Sequence, residues 1–476
     1  MRHEFTRTHS LMRIFHTLGI TVLALGGLAA CNSDRLKVPE YNNPTPEGVS
    51  SDPLVALNLA AGGIIQRDRA DHGAQILSNG IFGREAFNYT PSEGRNTTGY
   101  LVNPTDPTSF GSGNFLGRFQ TLKNIQGFYG LIETATPLVP LTTAQVQAAT
   151  GFAKTFEGLT FLHYISSRHN LGGTVVIPED PTDIQPFVSR DSVYSVALTR
   201  LNEGLTALQA GGTTFPFQLT AGFAGFNTPS NFARFNRAIA ARLLAYRGSL
   251  STGATRTQFY TQALTALTAS FITPGGPLAT GVFHVFSTAA GDLANPINTA
   301  TSVNVLAHPS TTVDATAGDL RLSKTRTIAQ RNAPGGLGIP TTVGFNRYAD
   351  QSTPIPIIRN EELILLRAEA RYFTADQAGA LADLNDVRTR AGGLPALVAG
   401  DIDTESKFLD RLLYERRYSL LLEGHRWADV RRFGRLNTLP LDLATHVRAL
   451  QQVVPISECQ ARDRTGDPVL KGPGCP

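Results

Sequence analysis

The chain has 476 residues, of which 41% are hydrophobic and 17% charged, with 45 Gly and 28 Pro. Setting aside the first 30 residues, 42 basic residues less Arg2, Arg7 and Arg13 meet 38 acidic residues less Glu4, leaving 39 against 37. So small an excess is no electrostatic footprint for nucleic acid, and no apolar run beyond residue 30 approaches the ~20 residues of a membrane span, so the body is expected to be soluble.

Arg2, Arg7 and Arg13 precede an apolar run from Leu18 to Ala30, shorter than a membrane span and arranged like a signal peptide. The run ends in Leu28-Ala29-Ala30-Cys31, small residues before a cysteine whose thiol can take a diacylglycerol. Residues 1–30 are therefore expected to be a lipoprotein signal peptide, with Cys31 as the lipidation site. Residues 31–53, which carry Pro39, Pro44 and Pro46, are expected to be a lipidated tether. The bland alternative is an ordinary signal peptide with a chance cysteine. No acidic run follows Cys31, and Asp34 stands beside Arg35.

Apolar spacing predicts three helical hairpins: Ala144–Ser167 with Ser192–Gln209, Phe232–Leu250 with Gln258–Phe271, and Glu361–Phe373 with Gln377–Ala391. In the third, Leu363, Leu366, Ala370 and Phe373 share one face, as do Leu381, Leu384, Val387 and Ala391 in its second helix. Gly392-Gly393 provide the stop. A further helix carries Phe408, Leu412 and Leu413. Arg242-Leu-Leu-Ala245 echoes Arg367-Ala-Glu-Ala370, which suits stacked hairpins of the tetratricopeptide kind. Between them, residues 83–113, 174–186, 211–227 and 274–356 are rich in Gly, Pro, Thr, Ser and Asn, and segments that long are usually functional or disordered. Phe345–Tyr348 is expected to be a strand leading into the third hairpin.

Several pieces in order carry a specific resemblance: Arg367-Ala368-Glu369-Ala370, Asn385 with Arg388 and Arg390-Ala391-Gly392, Glu415-Arg416, and Glu423-Gly424-His425-Arg426-Trp427 with Asp429. Together they resemble the C-terminal signature of the SusD/RagB family of surface nutrient-binding lipoproteins, and the tether wording V-P-E-Y-N-N-P-T is similar to the start of many members. The resemblance implies an all-α fold of tetratricopeptide-like hairpins, with long irregular loops and a few short strands. It implies four such units, the earliest helices being residues 54–80 and 116–135. Residues 54–275 would form an N-terminal helical region with ligand-face loops, and 276–476 the C-terminal region. The implied function is non-enzymatic binding of a nutrient, an oligosaccharide or glycan, and its delivery to a SusC-type TonB-dependent outer-membrane transporter. No cofactor is implied. The implied location is the outer membrane at the cell surface, through a lipid anchor.

Catalytic signatures are scarce. The sequence has no H-E-x-x-H, no G-x-S-x-G and no phosphate loop, and Gly335-Gly336-Leu-Gly338 runs into Ile-Pro, which cannot open a dinucleotide-binding helix. Glu361 and Glu362 point to different sides of one helix. Glu415 and Glu423, with arginines nearby, read as ion pairs bracing helices rather than a glycosidase pair. Trp427 reads as core. His163 and His169 do not share a helical face and are expected at a helix end rather than on a metal. Cys459 and Cys475 are expected to pair as a disulfide, since no further cysteines or spaced histidines accompany them for zinc.

A glycan site needs flat aromatic faces beside fixed polar groups. The loop after Gly83 supplies Arg84, Phe87, Asn88, Tyr89, Arg95, Asn96 and Tyr100. Arg84, Asn88, Tyr89 and Tyr100 are the expected ligand-binding residues. A second candidate patch comprises Phe283, His284, Phe286, Phe345, Arg347 and Tyr348. Two other readings remain: a helical-repeat scaffold lipoprotein for envelope assembly without a small ligand, and a surface glycosidase or esterase.

Overall fold

The long helices begin where short polar side chains can accept hydrogen bonds from the first free backbone N–H groups. Thr142 and Gln145 form a reciprocal capping box, and Ser189, Thr228, Asp376 and Thr404 each accept from the backbone N–H three residues on. Gly393 ends its helix in the left-handed conformation, at φ 62°. The computed structural model describes residues 53–110, 113, 115–138, 141–180, 182–335 and 339–476. The expected signal peptide, Cys31, the tether up to residue 52, and Gly336 and Gly338 lie outside the described residues.

The result is mostly helical, with a few short strands, as expected. Helix α1 is Pro53–Phe82, followed by strand β1, Ala86–Asn88, and the short α2, Arg95–Leu101. Then come α3, Phe115–Leu138; α4, Thr143–Arg168; α5, Arg190–Gln209; α6, Pro229–Ser249; and α7, Gly253–Thr268. Next are β2, Gly281–His284; β3, Val305–Ala307; α8, Ser310–Val313; β4, Thr325–Asn332; β5, Pro340–Phe345; and β6, Ile355–Arg359. The chain finishes with α9, Asn360–Phe373; α10, Gln377–Gly392; α11, Glu405–Ser419; α12, Arg426–Arg432; and α13, Ile456–Asp463.

The helices pack as successive neighbours: α1 with α3, α4 with α5, α6 with α7 and α9 with α10, each pair touching the next, while α11 covers α9 and α10. Small residues set the spacing. A Cβ on Gly158 of α4 would lie 2.6 Å from Leu201 Cγ and 2.9 Å from the Ala197 carbonyl of α5, so the two helices meet there backbone to side chain. One apolar core runs through α1, α3 to α7 and α9, including Phe152, Phe156, Phe232 and Leu363. A second lies between α9, α10 and α11, around Leu365, Leu384 and Phe408. Residues 53–476 form one compact unit, so the division at residue 275 is one of sequence order rather than of packing.

The irregular stretches hold the strands. β1, β3, β5 and β4 form an antiparallel four-stranded sheet in that order, with Ala86 opposite Ala307 and Asn88 opposite Val305. β2 pairs with β6, and β6 runs straight into α9. The strand expected at Phe345–Tyr348 is thus corrected. β5 ends at Phe345, and the strand entering α9 is β6, every residue of which is buried. Among the described residues no helix is long and apolar enough to cross a membrane.

Candidate ligand-binding site

The loop after α1 turns inward. Arg84 adopts φ 52° and is fully buried. Its guanidinium donates to the carbonyls of Ile81, Phe82 and Val447 at 3.4, 3.3 and 3.0 Å, and burial lowers its pKa to about 10. Tyr89 is 2% exposed, its ring stacked on Phe87 and its hydroxyl donating to the Ile339 carbonyl at 2.9 Å. Neither residue offers a face to a ligand. Their expected role is corrected: they hold the loop to the sheet and to the C-terminal segment, because a buried guanidinium or phenol must spend its donors on protein acceptors.

Asn88 and Tyr100 are half-buried. Asn88 Oδ1 accepts from the backbone N–H and hydroxyl of Thr90 at 3.2 and 2.8 Å, which closes a turn and leaves its amide end free of that bond. Tyr100 meets Phe82 edge-on at 5.2 Å, and burial raises its pKa to about 12. Arg95 is exposed on this loop, paired with Glu93 and lying over the Phe110 ring at 4.8 Å.

The second patch belongs to the interior. Phe286, Phe345 and Tyr348 are buried, and the Tyr348 hydroxyl donates to the Leu422 carbonyl at 3.0 Å. Arg347 pairs with Glu423. His284 Nε2 lies 2.9 Å from Asp68 Oδ2, and Phe283 and Arg347 are half-buried. Asp68 is also met by Arg118 at 2.6 Å and lies 3.7 Å from His163 Nδ1, with His72 stacked on His163. His163 thus lies inside α4 and faces this cluster, whereas His169 is the C-cap. Among the described residues no group of three or more His, Cys, Asp or Glu could hold a metal ion.

The acidic residues near the C-terminal end of the chain are braces. Glu423 is held by Arg359 and Arg347. Burial alone would raise its pKa, but the two guanidinium groups pull it down to about 2. Arg321 and Arg388 reach the two oxygens of Glu415 at 2.6 and 2.7 Å, and Arg416 and Arg432 hold Asp429 at 2.7 and 3.0 Å. Trp427 stacks on Phe82 at 4.6 Å and donates from Nε1 to the Ala449 carbonyl at 2.8 Å. Cys459 and Cys475 form a disulfide with Cα atoms 5.4 Å apart.

A cleft of about 270 Å³ opens between the segment after α8, α11, α12 and the turn after α12. Tyr414, Arg417, Arg426, Arg435, Asp314 and Asp410 line it, and none of the four expected ligand residues does. It touches the root of the expected loop through Arg426, whose Nε donates to the Gly83 carbonyl at 2.8 Å. Its sequence signal is a stripe. Asp410, Leu413, Tyr414 and Arg417 fall at i, i+3, i+4 and i+7 on α11, while Glu415 and Arg416 turn inward. Three further segments complete the cleft, so the stripe alone does not reveal a cavity.

Residues 331–463 match the SusD family. No curated protein is detectably similar to the chain in sequence. Among solved structures, NanU of B. fragilis is 14% identical with a TM-score of 0.64, over 91% of this chain and 100% of that one. A SusD superfamily protein from Bacteroides thetaiotaomicron VPI-5482 is 17% identical with a TM-score of 0.61, over 86% and 98%. A laminarin-binding SusD-like protein is 17% identical with a TM-score of 0.57, over 88% and 98%. Residues 331–463 are thus a SusD-family region, set in a chain that has the SusD fold over most of its described length.

Proposed function

We propose that this protein is a non-enzymatic glycan-binding lipoprotein of the outer membrane. In this reading it is anchored through Cys31 and delivers oligosaccharide to a SusC-type TonB-dependent transporter. The observation that carries the reading is a SusD-family sequence on a fold shared with a laminarin-binding SusD-like protein over 88% of this chain. The scaffold supports binding rather than bond cleavage. Its paired acids at Glu361, Glu362, Glu415 and Glu423 are committed to arginines, so none is placed as a free acid–base couple. Ligand contacts are assigned to the half-buried rim of the first loop, Asn88 and Tyr100 with Arg95 and Phe110, and to the cleft beside Tyr414. Capture is binding energy alone, and transfer follows from a change of position relative to the transporter.

The test is a glycan array probed with the purified full-length chain. Binding to a defined set of oligosaccharides, weakened by Asn88→Ala with Tyr100→Ala, is the expected result. No saccharide binding on a broad array contradicts the proposal.

A further inference from the structure

The cleft beside Tyr414 contains a cation in no direct ion pair, on which the buried Glu85, and Asp314, act from farther away. Arg426 spends Nε on the Gly83 carbonyl, but among the described residues no carboxylate comes within ion-pair distance of its guanidinium. Its neighbours differ. Arg417 pairs with Asp314 at 2.7 Å and donates to Ser310 Oγ at 2.9 Å, and Arg435 lies 3.6 Å from Asp410. The side chains of Asp314 and Asp410 are 50% and 65% exposed, so these pairs are screened, weakly held and exchangeable. Asp429, deeper in the wall, is committed to Arg416 and Arg432. A half-buried guanidinium without a direct ion-pair partner is costly, and an arriving anion lowers that cost.

We propose that this cleft binds a carboxylate-bearing sugar unit of an acidic saccharide. Arg426 is the carboxylate's partner, Arg417 flanks it, and the Tyr414 ring supports the sugar's C–H face. The inference rests on the glycan-binding reading above and names the ligand class for one of its sites. Tyr414 is set for that role, because its hydroxyl donates to Asp319 Oδ2 and accepts from the Thr316 N–H, both at 2.9 Å, which fixes the ring before a ligand arrives. The apolar wall of Leu413 and Val430 would be left unfilled by a small inorganic anion. The volume lies just below the ~300–1,000 Å³ of sites for larger ligands, so it suits one sugar unit with the rest of the chain outside. A planar carboxylate also matches the fork of a guanidinium.

The test is calorimetric titration of the full-length chain with D-glucuronate, D-galacturonate and D-mannuronate, against D-glucose, D-galactose and D-mannose. At least one uronate binds at least about tenfold tighter than its neutral counterpart, because a charge-assisted hydrogen bond is lost with the carboxylate. That affinity falls as salt is raised. Arg426→Gln weakens uronate binding about tenfold or more. Since that variant also touches Gly83, Arg417→Gln is the second: it weakens binding with the melting temperature unchanged. Equal affinity for acid and neutral sugars, no uronate binding at all, or undiminished binding in both variants overturns the inference. If the array detects neutral glycans while uronates fail, only this inference falls. If no saccharide of any kind binds, the functional reading falls with it.

Discussion

Arg242 in α6 clamps Glu362 in the first turn of α9 through two hydrogen bonds of 2.7 and 2.6 Å, across 120 residues of sequence. Both side chains are almost wholly buried, at 4% and 1% exposure. The same guanidinium donates to the Ile357 carbonyl of β6 at 2.7 Å. One arginine therefore ties the middle helices to the strand and helix that open the C-terminal signature. Removing one partner of such a pair leaves an uncompensated buried charge. Arg242→Met is expected to lower unfolding free energy by about 3–5 kcal/mol, and Arg242→Met with Glu362→Met to regain much of the loss. Denaturant unfolding of the single and double variants measures both; a single variant as stable as the parent contradicts the clamp.

The contact of α4 with α5 has no room for a methyl group. Gly158→Ala places its Cβ 2.6 Å from Leu201 Cγ and 2.9 Å from the Ala197 carbonyl, and only the former can move. Helix propensity favours alanine by about 1 kcal/mol, but overpacking typically costs about 1–3 kcal/mol. A lower melting temperature is expected. A stabilised variant would mean that the helices separate freely.

Acid should loosen the cluster around Asp68. Burial holds the His163 pKa down to about 4 from an ordinary 6.5, and burial likewise lowers that of His72. A histidine depressed in the folded state takes its proton first in the unfolded chain. Stability is therefore present above pH 6.5 and is lost as pH falls from about 6.5 towards 4. The Glu423 carboxylate adds a loss lower down, between its ordinary 4.5 and about 2. Thermal melts from pH 7.5 to 4.5 should show a progressive fall that His163→Gln reduces. A flat profile across that range contradicts the assignment.

The tail should depend on its bridge. The disulfide closes a separation of 16 residues, and a loop of that size is worth about 3 kcal/mol in the chain-entropy model. Inside it, Arg462 lies over the Phe187 ring at 4.1 Å and donates to the Gln185 and Leu470 carbonyls, both at 3.0 Å. Cys475→Ser is expected to raise amide exchange across residues 456–476 while the helices of the core stay protected. Unchanged exchange there contradicts a structural role for the bridge.

What could be read from the sequence followed range. Helices such as α4, α6 and α9 carry their apolar period and their caps within a few residues, so their limits were expected to within a few positions. Trp427 and the Glu415 and Glu423 braces were legible from their place beside apolar helix faces and arginines. Arg84 and Tyr89 were not, because their partners Val447 and Ile339 lie 363 and 250 residues away, and an arginine or tyrosine in a polar loop looks the same whether it faces in or out. The short strands were hidden for a related reason. β1 has three residues, and only its pairing with β3, more than 200 residues on, makes it a strand.

The proposed role of this chain as the capture component of an outer-membrane uptake assembly is tested most directly by gentle-detergent co-purification from native membranes, through a tag after Pro476, with mass spectrometry of the product. A roughly stoichiometric TonB-dependent β-barrel is the predicted partner, and Cys31→Ala should release the protein from the membrane fraction still folded. Recovery of envelope-assembly factors with no such barrel would contradict the claim and favour a helical scaffold.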